Sequence, residues 1–374
     1  MRPPSAICVL RLSAIGDCCH TLPVVRNIQQ AWPDTKITWI IGATESRLFG
    51  DIEDIEFLVF DKNRGFGAYR DIWQRLRGRH FPVLLNLHAS MRASLLSLRV
   101  PAERKIGFDR ARAKDWQWLF TNERIQARPR QHVMDGLMSF LEPLGIEARA
   151  PSWDIPIPEE DRAFTAGLQG EGSPLCVISP CSSERRRNFR NWSASNYAAV
   201  AETLHRRYDA RVVLTGGPTA LERRYGAEIE QAADCPVTNL IGRTSLKRLL
   251  AILDCAELLI CPDSGPAHMA TAVGTPVVGL YATSNRFRTG PYFSQDLVVD
   301  AYPEAVQREF DKPVAALSWG KRVRDPAAMD LIRLERVLDK VAVVLGAGRA
   351  PDPDTTPDKT PDKNRGTNRD GTGH

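Results

Sequence analysis

The hydrophobic pattern at the start of the chain predicts a strand, a helix and a second strand. Residues 6–12 form a nearly continuous apolar run, as in a parallel strand that is buried on both faces. After a polar turn at residues 13–17, apolar positions recur at intervals of three through Ile28, which is the spacing of a helix face. A second apolar run covers residues 36–42. Together these segments predict a βαβ unit.

The same alternation continues through both halves of the chain. Further strands are predicted at residues 57–60, 82–88, 105–108, 174–179, 210–216, 237–241, 258–263 and 277–281. Helices are predicted between them at residues 69–77, 89–98, 133–141, 193–207, 219–233 and 245–253, with a final helix at 327–345. Neither half contains GxGxxG, which disfavours a dehydrogenase.

This pattern predicts an α/β protein with two Rossmann-like domains, because 374 residues exceed what one typical core holds. The predicted N-terminal domain is 1–150, followed by a linker at 151–172 that is rich in proline and charge. The C-terminal domain is 173–326, and a C-terminal helix occupies 327–346. Residues 347–374 have almost no apolar side chains and are predicted to be a disordered tail.

Several classes of protein are disfavoured by the composition. No apolar run approaches the ~20 residues of a membrane span, and the first apolar run is interrupted by Arg11, so a signal peptide and export are not expected. The eight cysteines include no CxxC pair and lie mostly in apolar patterns. They predict buried, reduced thiols in a cytosolic protein and no structural zinc site.

Positive charge is concentrated in one part of the chain. The formal net charge is only +5, but residues 62–130 contain 16 Lys or Arg against 5 Asp or Glu, a local balance of +11. Arginine predominates, which favours fork-shaped contacts with phosphates or carboxylates. Nucleic acid, an anionic membrane surface or an anionic acceptor would each explain this balance, as would a solvated basic face.

The stretch 258–281 predicts a phosphate site at the start of a helix. An apolar strand ends at Asp263, and the chain then turns into a helix through Ser264 and Gly265. The free N–H groups of such a helix start suit a diphosphate, to which the Ser264 hydroxyl would also donate. Asp263 would orient the loop or bind a sugar hydroxyl, and His268 would face the phosphate or the core. A helix cap without any ligand is the alternative.

Three motifs, in this order, resemble glycosyltransferase family 9, the bacterial heptosyltransferases of lipopolysaccharide core synthesis. They are SAIGDCCHTLP at residues 13–23, RNW at 190–192 and PDSGPAH at 262–268, and the resemblance spans roughly residues 7–345. It implies a GT-B fold whose two domains face each other across a cleft, with the acceptor on the N-terminal domain and the donor nucleotide sugar on the C-terminal one. It also implies an inverting transfer, normally of heptose from ADP-heptose, and we expect no metal or other cofactor.

An inverting transfer needs a base that takes the proton of the acceptor hydroxyl. Asp17 follows a strand end, where sites lie in α/β sheets, and the matching aspartate of the family is the proposed base. A carboxylate that only stabilises the helix start is the alternative role. Gly16 would let the backbone approach the substrates, and Ser13 would donate to a phosphate or a sugar.

The loop 181–192 carries the second group of predicted donor residues. Ser182, Ser183 and Arg190 would neutralise the leaving diphosphate without a metal, and a solvated basic loop is the alternative. The family usually has lysine two residues before the tryptophan, where this chain has Arg190. Because that change alters the geometry of the cation, Arg187 or Arg186 would share its role.

The remaining candidates lie at the nucleoside and acceptor ends of the cleft. Glu222 would accept from the ribose hydroxyls or be a helix-surface acid, and Thr244 would line the nucleoside pocket. His88 and Ser90 follow a strand end and, with Arg92, would bind the phosphates and Kdo carboxylates of a lipid A precursor. These residues complete the predicted site.

The sequence therefore predicts a cytoplasmic GT-B heptosyltransferase, peripheral on the inner face of the cytoplasmic membrane. Its expected partners are ADP-heptose and an anionic lipid-linked acceptor of the Kdo-lipid A type, and nucleic acid is not among them. A transferase of the same fold that uses another nucleotide sugar is one alternative. A nucleotide-binding protein that has lost catalysis is the other.

Overall fold

Two parallel six-stranded sheets form the protein. A computed structural model describes residues 2–170, 172–182 and 189–346. The strands of the first sheet are β1 (Ala6–Leu10), β2 (Lys36–Gly42), β3 (Ile55–Phe60), β4 (Phe81–Asn86), β5 (Ala102–Gly107) and β6 (Glu123–Arg124). Those of the second are β7 (Leu175–Ile178), β8 (Arg211–Leu214), β9 (Val237–Asn239), β10 (Leu258–Pro262), β11 (Val277–Tyr281) and β12 (Val299–Asp300). Their orders are β3-β2-β1-β4-β5-β6 and β12-β11-β10-β7-β8-β9.

Helices cover the faces of both sheets. The first half contains α1 (Ile15–Ala31), α2 (Ser46–Phe49), α3 (Phe66–Arg75), α4 (Met91–Ser97), α5 (Val133–Met138) and α6 (Glu159–Ala166). The second half contains α7 (Ala194–Tyr208), α8 (Ala220–Ala232), α9 (Leu246–Asp254), α10 (Gly265–Val273), α11 (Arg286–Thr289), α12 (Tyr302–Phe310) and α13 (Leu334–Gly346). Short 3-10 helices lie at Lys62–Arg64, Gln117–Leu119, Ser139–Leu144, Gln295–Leu297, Val314–Ala316 and Ala328–Leu331.

The central strands are apolar on successive residues because helices cover both of their faces. In β1, Val9 is paired in parallel with Trp39 of β2, and both side chains are fully buried. In β10, Ile260 is paired with Val278 of β11, also with both side chains buried. Unbroken apolar runs of this kind are the pattern of buried parallel strands rather than of sheets with one wet face.

Each sheet reverses its strand order at its centre, and ligand sites of parallel sheets form at such points. In the first sheet the reversal lies between β1 and β4, which are followed by the turn before α1 and by His88. In the second it lies between β7 and β10, which are followed by Ser182 and by Asp263. The two crevices at the carboxyl ends of these strands therefore collect the candidates from both halves of the chain.

The two halves are packed against each other through α1 and α10. The indole N–H of Trp153 donates to the carbonyl of Cys19 in α1 at 2.7 Å. At the other side of the contact, Nζ of Lys247 in α9 lies 2.6 Å from the carboxylate of Asp51. A shared apolar core runs from the first sheet through this contact to α9 and α10.

The structure differs from the predicted linker and from the predicted final helix. The segment predicted as a linker at 151–172 contains α6, whose Asp161 is buried and paired with Arg248 at 2.9 Å, so tertiary packing orders it. The final helix begins only at Leu334, because a 3-10 turn at Ala328–Leu331 precedes it. The tail predicted to be disordered, 347–374, lies outside the described residues.

The cysteines are free and mostly buried, as their apolar surroundings in the sequence predict. All eight cysteines are free and six of them are buried, and burial raises the pKa of the Cys176 thiol to about 12. Within the described part of the chain, none of the helices combines the length and the apolar character needed to cross a bilayer.

Candidate active site

The two crevices meet where the first turns of α1 and α10 touch. A Cβ atom added at Gly16 would lie 2.3 Å from Cδ2 of His268, so a residue without a side chain is required against that ring. A Cβ at Gly265 would lie 3.8 Å from Cβ of Ile15. The candidates at the starts of the two helices are therefore brought together. Gly16, expected to admit the backbone to the substrates, has the ring of His268 as its neighbour.

Asp17 lies in the first turn of α1, at the edge of this contact. Its carboxylate accepts a hydrogen bond from the backbone N–H of Ala14 at 3.2 Å and forms an ion pair with Arg11. Burial alone would raise the pKa of Asp17, but the Arg11 charge and the Ala14 hydrogen bond outweigh it and hold that pKa below its ordinary value. Because 38% of the side chain stays exposed, the ionised carboxylate remains accessible to a ligand.

Arg11 is a residue of the candidate site that the sequence does not identify as such. It stands at the end of an apolar strand, is buried, and its Nη1 donates to the carbonyl of Leu87 at 2.5 Å. A charged residue is rarely buried unless it is paired. The signal available in the sequence was therefore an arginine within an apolar run.

The predicted acceptor residues lie at the end of β4, beside this pair. The Nδ1 atom of His88 accepts from the backbone N–H of Leu12 at 3.2 Å, and burial, followed by the charge of Arg11, lowers the pKa of His88 to about 4. Ser90 caps α4 by accepting from the N–H of Ala93 at 3.3 Å, and Arg92 is exposed in the first turn of that helix. His88 is therefore uncharged at neutral pH.

Asp263 is held by groups of the protein itself. Its Oδ2 accepts from Nη1 of Arg190 at 3.0 Å and from the hydroxyl of Ser284 at 2.7 Å. The same Nη1 also donates to the backbone carbonyl of Asp263 at 2.6 Å. Because both Asp263 and Arg190 are buried, these contacts favour the role of Asp263 as the residue that orients the loop before α10.

Further cations surround this carboxylate. Arg322, which the sequence reasoning missed, lies 3.9 Å from the Asp263 carboxylate. Burial lowers the pKa of Arg322; the Asp263 charge opposes this shift, and the charges of Arg190 and Arg288 add to it. The cluster holds more positive charge than the single carboxylate at its centre neutralises.

The other predicted donor residues occupy the neighbouring loop and helix starts. Ser264 precedes α10 without capping it, and its hydroxyl lies beside the thiol of Cys261. Both the N–H and the hydroxyl of Ser182 donate to Oδ1 of Asn191, at 2.9 Å and 3.2 Å. Ser183, Arg186 and Arg187 lie outside the described residues.

The two nucleoside candidates lie at helix starts. The carboxylate of Glu222 accepts from the N–H of Gly217 at 2.7 Å and from the hydroxyl of Thr219 at 2.6 Å. Thr219 in turn accepts from the N–H of Glu222, and this hydrogen bond caps the start of α8. Thr244 is half-buried and directly precedes Ser245, the N-cap of α9. In the structure, the Glu222 carboxylate therefore contacts the turn before α8 and the N-cap residue of that helix.

Three buried histidines join the halves behind the site. Nε2 of His20 in α1 lies 3.0 Å from Nδ1 of His268 in α10. Nε2 of His132 donates to the carbonyl of Gly290 at 3.0 Å. Burial lowers the pKa of His132 to about 4 and lowers that of His20 well below its ordinary value, so both rings are neutral at pH 7. His268 therefore connects the two helices, with one ring nitrogen bonded to His20.

The buried Arg190–Asp263 pair yields a stability prediction. Replacing Arg190 with Ala leaves a buried carboxylate without its main partner, and we expect the free energy of unfolding to fall by at least about 3 kcal/mol. Denaturant unfolding measures this loss. The control is Arg224→Ala, which removes an exposed pair with Glu228 and should cost less than about 0.5 kcal/mol. Equal losses in the two variants would contradict the arrangement at Asp263.

Comparison with known proteins places the chain in a family. The model of glycosyltransferase family 9 (heptosyltransferase) matches residues 69–319. The lipopolysaccharide core heptosyltransferase OpsX of Haemophilus influenzae is 39% identical over 338 residues, covering 90% of this chain and 96% of that protein. Lipopolysaccharide heptosyltransferase 3 of Escherichia coli is 28% identical over 289 residues, covering 74% and 82% of the two chains.

Solved structures show the same fold. The family 9 glycosyl transferase of Veillonella parvula superposes with a TM-score of 0.74 at 23% identity, covering 92% of this chain and 97% of the other. The ADP-heptose lipopolysaccharide heptosyltransferase II of Escherichia coli gives 0.70 at 18% identity, covering 91% and 99%. With its two Rossmann-like sheets facing each other in the GT-B arrangement, this chain belongs to glycosyltransferase family 9.

Proposed function

We propose that this protein transfers a heptose from ADP-heptose to the Kdo or inner-core region of a lipopolysaccharide precursor, with inversion at the anomeric carbon. The observation that carries the proposal is the ionised, accessible Asp17 beside the start of α10, at the contact of the two halves. The relatives named as lipopolysaccharide heptosyltransferases support the choice of sugar and acceptor. A solved neighbour described with ADP-2-deoxy-2-fluoro heptose supports the donor.

Asp17 acts as the general base in this proposal. Its carboxylate takes the proton of the acceptor hydroxyl as that oxygen bonds to the anomeric carbon, and the bond from this carbon to the diphosphate breaks in the same step. ADP leaves with the electron pair. Arg11 keeps the carboxylate ionised at neutral pH, so the base is ready before the acceptor arrives.

The leaving diphosphate binds at the start of α10. The backbone N–H groups of Gly265 and Ala267 supply hydrogen bonds, and α10 presents the positive end of its dipole; Pro266 between them has no N–H. Arg322 and the neighbouring arginines around Asp263 add positive charge in the buried part of the cleft. Charge fixed in place before the reaction stabilises the diphosphate as its negative charge develops.

The acceptor enters from the first sheet. Ser13, His88, Ser90 and Arg92 lie at the ends of β1 and β4, on the Asp17 side of the contact. An acceptor with phosphates and Kdo carboxylates suits the exposed Arg92, and its lipid part places the enzyme at the cytoplasmic surface of the inner membrane.

Incubation with ADP-heptose and Kdo-lipid A, followed by mass spectrometry of the acceptor, tests the proposal. The expected product is heavier by one heptose. If only another nucleotide sugar yields product, the alternative donor is correct. Nucleotide binding without any product would favour the non-catalytic alternative over the proposal.

Replacing Asp17 with Asn should slow transfer sharply while leaving the fold and ADP binding intact. The amide keeps the size of the carboxylate but cannot accept a proton, and we expect kcat to fall by roughly 10²–10⁴-fold. ADP release measures turnover, and calorimetry measures ADP binding. Asp34→Asn, at an exposed position beyond the other end of α1, is the matched control. Turnover near the normal rate in Asp17→Asn would remove this residue from the role of base.

The charge of Arg11 should determine the pH at which kcat/KM falls on the acid side of its pH profile. Because Arg11 lowers the pKa of Asp17, the wild-type base stays ionised below the ordinary range of an aspartate, and kcat/KM falls only at lower pH. In Arg11→Gln the pKa of Asp17 rises, so the acid limb should move to higher pH. Arg79→Gln, which loses an exposed pair with Glu56, should leave it in place. An unmoved limb in Arg11→Gln would contradict the proposed link.

Adding a methyl group at Gly16 should disturb the contact between α1 and α10. The new Cβ would lie 2.3 Å from the buried His268 ring, so Gly16→Ala must shift either the ring or the helix. We expect kcat/KM to fall by at least about tenfold, with a stability loss of about 1–3 kcal/mol. Gly67→Ala, also in a helix but with no atom within 4 Å of its new Cβ, is the control. Full activity in Gly16→Ala would contradict this prediction, because it would show that transfer does not depend on the close contact between α1 and His268.

A further inference from the structure

Exposed apolar side chains are concentrated on one part of the N-terminal half. Among the described residues nine large apolar side chains are exposed, and five of them fall between residues 66 and 119. We call these five the apolar patch: Phe66, Leu95, Leu98, Trp116 and Leu119, each between 41% and 72% exposed. Single exposed apolar residues need no explanation, but a cluster of them does.

The two helices of the patch are neighbours on one face of the first sheet. Ile72 of α3 and Leu96 of α4 are buried in the same core, so the opposite sides of both helices face outward. The indole N–H of Trp73 in α3 donates to the carbonyl of Leu96 at 3.2 Å, and the Phe66 ring lies 5.9 Å from that indole. Leu95 and Leu98 follow at helical spacing on the outer side of α4 and beyond its end.

The loop after β5 adds the third part of the patch. A carboxylate oxygen of Asp115 accepts from the backbone N–H of Met91 at 3.0 Å, which ties this loop to the start of α4. Asp115 and Trp116 both have left-handed backbone angles, with φ of 51° and 55°. Non-glycine residues rarely adopt this conformation, and here it accompanies an indole that is 65% exposed.

Positive charge surrounds the patch. Eight exposed cations lie on the same segments, where Asp115 is the one exposed acid among the described residues. The cations are Lys62, Arg64, Arg70, Arg75, Arg92, Arg99, Arg110 and Lys114. Arg99 stacks on the ring of Trp73 at 4.9 Å and Arg110 on that of Trp118 at 5.1 Å, so two of these cations are held directly beside aromatic rings.

We propose that the apolar patch and its ring of cations dock this protein on an anionic bilayer, with the five apolar side chains inserted at the headgroup level. Tryptophan and phenylalanine side chains mixed with Arg and Lys are the composition of segments that lie in a membrane interface. The anionic lipid supplies the charge that this surface lacks.

The apolar patch lies next to the acceptor end of the candidate site. Helix α4 begins directly after Ser90, two residues beyond His88, so its outer side adjoins the acceptor end of the cleft. A lipid-linked acceptor would keep its acyl chains in the bilayer while its sugars reach Asp17. This consequence rests on the proposed function, whereas membrane binding through the patch is independent of it.

Vesicle sedimentation with the full-length protein tests the patch. The vesicles are phosphatidylcholine alone or phosphatidylcholine with added phosphatidylglycerol, and neither contains an acceptor. We expect binding to the anionic vesicles, weaker binding to the neutral ones, and a decrease when salt is added. The triple variant Phe66→Ser, Leu98→Ser, Trp116→Ser should lose at least about tenfold in partition coefficient.

Controls separate this effect from other changes. The variant Phe287→Ser, Val343→Ser removes exposed apolar side chains elsewhere and should bind like the wild type. Thermal unfolding of all variants should agree, because the substituted residues are exposed. A wild type that ignores anionic vesicles, or a triple variant that binds them normally, would overturn the proposal. A triple variant that changes oligomeric state, as judged by light scattering, would also overturn it in favour of a protein partner.

A soluble acceptor distinguishes failure of this inference from failure of the proposed function. With a Kdo-containing acceptor that lacks acyl chains, the triple variant should transfer heptose at the wild-type rate. Slower transfer by the variant would place the patch in sugar recognition and overturn the docking role. If the wild type transfers no heptose to either acceptor but binds anionic vesicles through the patch, the proposed function fails and the docking surface stands.

Discussion

The ion pair between Arg11 and Asp17 is the interaction on which the candidate site depends. Burying a guanidinium costs free energy unless it is paired, and Arg11 recovers that cost through Asp17 and the carbonyl of Leu87. The second contact ties the end of β1 to the end of β4, the two strands between which the sheet order reverses. Arg11 therefore both links the ends of β1 and β4 and keeps the Asp17 carboxylate ionised.

The second constraint is the close approach of the two halves. Gly16 has no side chain because the ring of His268 occupies that space, and His268 is in turn hydrogen-bonded to His20. The same approach brings the start of α10 to the Asp17 side of the cleft. In the C-terminal half, Arg190 donates to both the carboxylate and the backbone carbonyl of Asp263. Each half thus contributes a carboxylate held by a buried arginine: Asp17 by Arg11 in the first half, and Asp263 by Arg190 in the second.

Much of the fold could be predicted from the sequence, because its central strands are unbroken apolar runs. The boundaries of Lys36–Gly42 and Val277–Tyr281 match the predicted strands. The strands β6 and β12 have two residues each and carry no such pattern, so they were missed. Among the site residues, the motifs and strand ends indicated Asp17 and Asp263. The contacts of His20 and Arg322 are determined by long-range packing, which no local spacing reveals. For Arg11 the sequence offers one signal, its place at the end of an apolar run, but not its partner.

A crystal structure with ADP bound tests the central claim most directly. The account predicts that the diphosphate lies on the backbone N–H groups at the start of α10, with Arg190 still bonded to Asp263 behind it. The terminal phosphate should point toward the Asp17 carboxylate, leaving space for a sugar between them. A diphosphate bound away from α10, or one that faces away from Asp17, would contradict the account.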